Sequence, residues 1–71
     1  MKAQLFTDSD TCLNFRSIQE AMNYARFRNI KQYCVLLIDD SGFSLYDSLR
    51  AKWSFPETEK LAHRTIGSLL N

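Results

Sequence analysis

The chain has 71 residues, a formal net charge of +1, two cysteines and one histidine, with 45% apolar and 24% charged residues. That length sets a ceiling of one domain, residues 1–71, and the balanced charge with an ordinary apolar fraction excludes a disordered tail. No apolar run approaches the roughly 20 residues of a membrane-spanning helix, so no membrane partner is expected. A domain this small buries only about 60% of the surface its unfolded chain exposes, so a partner could supply much of its stability.

Residues 2–7 read as a short strand, and the polar stretch Asp8–Asn14 as a loop. Ser17-Ile18-Gln19-Glu20 is a capping box: the Ser17 hydroxyl can accept from the Glu20 amide while the Glu20 carboxylate returns to the Ser17 amide. A helix should follow to about Asn29, which suits the left-handed closing position. Its apolar residues Ile18, Ala21, Met22 and Ala25 keep the spacing of one helical face.

Tyr33–Ile38 is an unbroken apolar run of strand length, which predicts a central strand buried on both faces. Asp39-Asp40-Ser41-Gly42 is a turn signal, with Gly42 supplying a positive φ. Phe43 and Leu45 alternate with Ser44 and Tyr46 as a hairpin strand would. A second alternation, Leu49, Ala51, Trp53 and Phe55 against Arg50, Lys52 and Ser54, predicts a third strand after a turn at Asp47-Ser48, against the helix propensity of Leu-Arg-Ala-Lys, which is the alternative. Ser54-Phe55-Pro56-Glu57 then reads as a cap with proline just inside a last helix that runs to about Leu70. Leu61, Ala62, Thr65, Ile66 and Leu69 form its apolar face; Lys60, His63, Arg64 and Gly67 form the other.

The predicted order is β-α-β-β-β-α. It implies an α+β fold: a two-layer sandwich of a small antiparallel sheet with both helices packed on one face.

No constellation argues for catalysis. Asp8-x-Asp10-x-Cys12 opens like a calcium loop, but Leu13 and Gln19 stand where the pattern needs glycine and glutamate. Asp39 and Asp40 read as turn residues that solvent keeps ionised. His63 falls on the polar helix face with no serine or cysteine at helical spacing. Cys12 and Cys34 form no C-x-x-C pair, and His63 is far from both in sequence, so no metal and no cofactor are expected. The opening MKAQLFTDSD lacks the apolar core of a signal peptide, so the expected compartment is the cytoplasm, with reduced thiols.

One surface looks out of place. With Ile18 at zero on a helical projection, Met22 falls at about 40°, Ala25 at about 340° and Ala21 at about 300°, whereas Phe27 falls at about 180° and Tyr24 at about 240°. Tyr24 and Phe27 therefore point away from the core face, with Arg28 beside Tyr24. The alternative is that the last helix or the 8–14 loop covers Phe27. Aromatic residues with arginine are enriched in binding hot spots. The charge is also split: residues 16–36 hold Arg16, Arg26, Arg28 and Lys31 against Glu20, while residues 37–59 hold Asp39, Asp40, Asp47, Glu57 and Glu59 against Arg50 and Lys52. A solvated surface often shows such a split.

The chain thus reads as a non-enzymatic protein-binding module, a regulator, inhibitor or accessory subunit. Tyr24, Phe27 and Arg28 form its expected contact stripe, and Arg26 and Lys31 steer. The partner is another protein or a second copy in a homodimer. Nucleic acid is the second choice: Arg16, Arg26, Arg28 and Lys31 could follow phosphates while Tyr24, Phe27 and Tyr33 stack on bases. The net charge is low for such a binder. In size and make-up the chain resembles the small accessory and inhibitor proteins of phages and plasmids, a likeness of type that rests on no motif.

Overall fold

The computed structural model describes residues 1–8 and 11–70. Their elements run β1 (Lys2–Thr7), β2 (Cys12–Phe15), α1 (Ile18–Phe27), β3 (Tyr33–Asp39), β4 (Gly42–Asp47), β5 (Lys52–Ser54) and α2 (Glu59–Leu70). The strands form one antiparallel sheet in the order β2-β1-β3-β4-β5. The α+β class, the antiparallel sheet and the central position of β3 are as the sequence predicts.

Three expectations need correction. First, part of the supposed 8–14 loop is a strand, β2, which pairs Cys12 with Phe6 and Phe15 with Ala3. Its half-buried residues Leu13 and Phe15 alternate with exposed Cys12 and Asn14. Residues 9 and 10, including Asp10 of the calcium-like motif, lie outside the described residues. Second, the last strand is shorter than the 49–55 alternation implies. Asp47 accepts from the Leu49 amide at 3.1 Å and from the Arg50 guanidinium at 2.9 Å, which folds residues 48–51 into a turn. Ala51 leaves that turn with φ 53°. The α2 cap is correspondingly later: Thr58, not Ser54, accepts from the Leu61 amide.

Third, the helices lie on opposite faces, so the molecule has three layers rather than two. On β3, Cys34, Leu36 and Ile38 pack with Ala62 and Ile66 of α2. Tyr33, Val35 and Leu37 pack with Ala21, Ile18 and Tyr24 of α1. Successive strand residues face opposite ways, so the two clusters are separate cores on the two sides of one sheet. Cys34, Val35 and Leu36 are all fully buried because each side has its own helix.

The helix ends close as predicted but for one bond: the Glu20 carboxylate returns to the amide of Arg16, not to that of Ser17. Ser17 accepts from the Glu20 amide at 3.2 Å, and Glu20 accepts from the Arg16 amide at 3.0 Å. At the other end Asn29 has φ 58°. Its amide donates to the Arg26 carbonyl, and the Ile30 amide to the Ala25 carbonyl. This is the paired closure that a left-handed residue permits. Asp39 and Asp40 also behave as turn residues. Asp39 accepts from both the amide and the hydroxyl of Ser41, and these bonds hold its carboxyl below the usual carboxylate range.

Candidate aromatic and basic surface

A helix with its side chains is about 10 Å wide, while strands are spaced about 4.8 Å apart, so one helix covers two or three strands. Helix α1 contacts β1, β2 and β3; α2 contacts β3 and β4. Each face therefore keeps an uncovered portion. On the α2 face Phe6 of β1 still packs against the α2 core, and beyond it lie Gln4 and Asn14, which bond each other at 3.4 Å. Asn14 is exposed, while the Gln4 Oε1 is buried without a hydrogen-bond partner. The bare part of the α1 face, over β4 and β5, carries Tyr46 and Trp53.

Register explains how those aromatics meet. Leu13, Leu5, Val35, Tyr46 and Trp53 are successive partners, one per strand, and form a single row across the sheet. The first three lie under α1 and the last two emerge beyond it. The Tyr46 and Trp53 rings are 5.2 Å apart, tilted at 52°. Trp53 remains 43% exposed.

Tyr33 links this pair to the end of α1. Burial first, then Tyr46, pushes its phenol above the ordinary value, and the Arg26 guanidinium opposes both. Tyr33 and Tyr46 pack against the same core cluster, and Trp53 continues the row to the sheet edge. From sequence, Tyr33 belongs to the core strand or to base stacking, and Tyr46 and Trp53 carry no site role. The available signal was the alternation itself, which places Tyr46 on the face opposite Leu45.

The expected contact stripe is divided. Phe27 is 85% exposed, uncovered by α2 or by the described part of the 8–14 segment. Arg26, Arg28 and Lys31 are exposed around it. None of the three forms an ion pair with a carboxylate among the described residues. Tyr24, expected to point outward, is half-buried in the α1 core cluster, with its ring 5.4 Å from that of Phe15. The reason is β2, which widens the sheet beneath that side of the helix. Arg28 lies across Tyr24, 5.6 Å from the ring centroid, so Tyr24 supports the arginine rather than standing beside Phe27.

The other titratable groups are dispersed. His63 approaches Glu59 of its own helix at 3.6 Å and meets Phe6 edge-on at 5.5 Å. Cys12 and Cys34 both pair with Phe6, from the two sides of β1. Two strand spacings place their Cα atoms about 9–10 Å apart, too far for a disulfide. Burial raises the Cys34 thiol to about 11, with Asp47 adding to the shift. Among the described residues no group of three or more His, Cys, Asp or Glu side chains could hold a metal ion. Among the described residues no helix is long and apolar enough to cross a membrane.

No protein-family model, curated protein or solved structure matches the chain.

Proposed function

We propose that this chain is a non-enzymatic protein-binding module, acting as a regulator, inhibitor or accessory subunit. It docks on an acidic surface of a partner protein through Phe27, with Arg26, Arg28 and Lys31 around it. The observation that carries the reading is the 85% exposure of Phe27 among cations that have no carboxylate partner in the described structure. Arginines in the last turn also favour the helix dipole. That role accounts for the charges and leaves the phenylalanine unexplained. An aromatic anchor in a ring of cations suits a desolvated hot spot with electrostatic steering. Two separated free cysteines fit a reducing cytoplasm, where we place the protein.

The test is capture from host lysate after nuclease treatment, with wild-type protein and Phe27→Ala compared in parallel. A stoichiometric protein retained by the wild type and lost with the variant supports the reading. Retention that ignores Phe27 contradicts it.

A second reading has one observation in its favour. Trp53, 43% exposed, stacks on Tyr46 beside Tyr33 on the same sheet face, an arrangement suited to stacking bases of single-stranded nucleic acid. It requires affinity that falls steeply with salt and bound material that disappears with nuclease. The net charge of +1 favours the protein partner.

A further inference from the structure

Strand β5 is open on three sides. It pairs with β4 alone, neither helix covers it, and all three of its residues are exposed. Leu49 and Phe55, 60% and 73% exposed, flank it in sequence. A bare strand edge is a template for another strand.

Backbone parity shows what that edge offers. The Ser48 amide donates to the Tyr33 carbonyl at 3.1 Å. In an antiparallel ladder the groups of successive residues point to alternate sides. Even-numbered residues of β4 therefore turn to β3, and the odd-numbered Leu45 and Asp47 turn to β5. Their partners there are Ser54 and Lys52. The amide and carbonyl of Trp53, midway between, point outward along the bare edge.

We infer that β5 pairs antiparallel with β5 of a second copy of this chain, about a twofold axis through Trp53. This goes beyond the α1 docking surface and does not rest on it. The register is self-complementary. Each Trp53 amide meets the Trp53 carbonyl of the other copy, which satisfies the groups that parity leaves free. Lys52, the only charge on the strand, falls opposite Ser54 of the second copy rather than opposite another lysine. Both indoles emerge on the α1 face, where the Tyr46–Trp53 row continues into its twofold image. A foreign strand would have to match this pattern; a second copy matches it by symmetry. The left-handed Ala51 and Pro56 limit the seam to a few residues. That is well below the roughly 1,200–2,000 Å² of a stable interface, so the dimer is weak and concentration-dependent.

Sedimentation velocity from about 10 µM to about 1 mM, with amide hydrogen exchange at both ends of the range, tests the pairing. The expected result is a monomer–dimer equilibrium in which the Trp53 amide gains protection with concentration while those of Lys52 and Ser54 are protected throughout. Trp53→Lys, which would oppose two like charges, should return the protein to monomer, as should Trp53→Thr, which keeps strand propensity. Phe27→Ala should leave the dimer unchanged. A monomer at every concentration overturns the inference, as does a dimer that survives both Trp53 variants or one that Phe27→Ala abolishes.

Discussion

Val35 and Leu36 are neighbours in the chain, yet they belong to different hydrophobic cores. Val35 packs with Ala21 of α1, and Leu36 with Ala62 and Ile66 of α2. The sheet lies between the two cores.

That separation is measurable by double-mutant cycles. Leu36→Ala and Ile66→Ala should each cost about 2–5 kcal/mol, and in combination they should depart from additivity by about 0.5 kcal/mol or more. Val35→Ala combined with Ile66→Ala should be additive within about 0.5 kcal/mol. Chemical denaturation of the four proteins in each cycle gives the values. Equal coupling in the two cycles would place both helices on one side. If Ile66→Ala leaves too little native protein, Ile66→Val serves the same comparison at about 0.5–1.5 kcal/mol.

The same pair shows where sequence reading stops. The unbroken run Tyr33–Ile38 signals burial on both faces, and a strand buried on both faces needs a cover on each. Placing both helices on one side conflicts with that signal. Helix periodicity gives a helix's apolar stripe but not the sheet face it meets. Strand β2 was hidden for a related reason: Cys12 and Asn14 face water, so only Leu13 and Phe15 carry the alternation. Once β2 is present, Tyr24 has Phe15 to pack against, and the helical projection no longer determines its exposure. Phe27 lies opposite the core stripe whatever the sheet does, but helix geometry alone leaves open whether another segment covers it; its 85% exposure is a result of the fold. Tyr46 and Trp53 depend on cross-strand register, which the 48–51 turn sets and the alternation alone does not.

Ala51 occupies the left-handed region with φ 53°, where an L residue with a Cβ is strained. Ala51→Gly should relieve that strain. Part of the gain is offset by the greater freedom of glycine in the unfolded chain. The net expectation is about 0.5–1 kcal/mol of added stability and a rise in Tm of roughly 2–8 °C, read by calorimetry. A fall in Tm would mean that the turn does not hold Ala51 in that conformation.

Cys34 makes stability sensitive to alkali. Its thiol is raised from 9.0 to about 11, chiefly by burial, so the folded state keeps a proton that the unfolded chain releases. The contribution is fully present below pH 9.0 and is lost as pH rises from there through about 11. Unfolding free energies measured across that window should decline less steeply in Cys34→Ala than in the wild type. A thiol reagent near neutral pH should modify exposed Cys12 promptly and Cys34 only on unfolding. Prompt reaction of both would contradict the burial of Cys34.

Tyr33 reports on the join between the helix end and the aromatic face. Its phenol should titrate above 10.0 in an ultraviolet pH titration. Removing the Tyr46 phenol with Tyr46→Phe should lower the midpoint, and removing the Arg26 charge with Arg26→Gln should raise it further. A midpoint indifferent to both variants would disconnect Arg26 from the sheet face.

Most of the functional account rests on Phe27. The deciding measurement is the affinity of Phe27→Ala for the captured partner by titration calorimetry, with thermal unfolding of the same preparation. A side chain this exposed adds little to folding, so Tm should move by less than about 4 °C, while binding weakens by about 1–2 kcal/mol or more, roughly 5- to 30-fold. Unchanged affinity with an intact fold would remove Phe27 from the interface. A collapse of Tm would show that it belongs to the core.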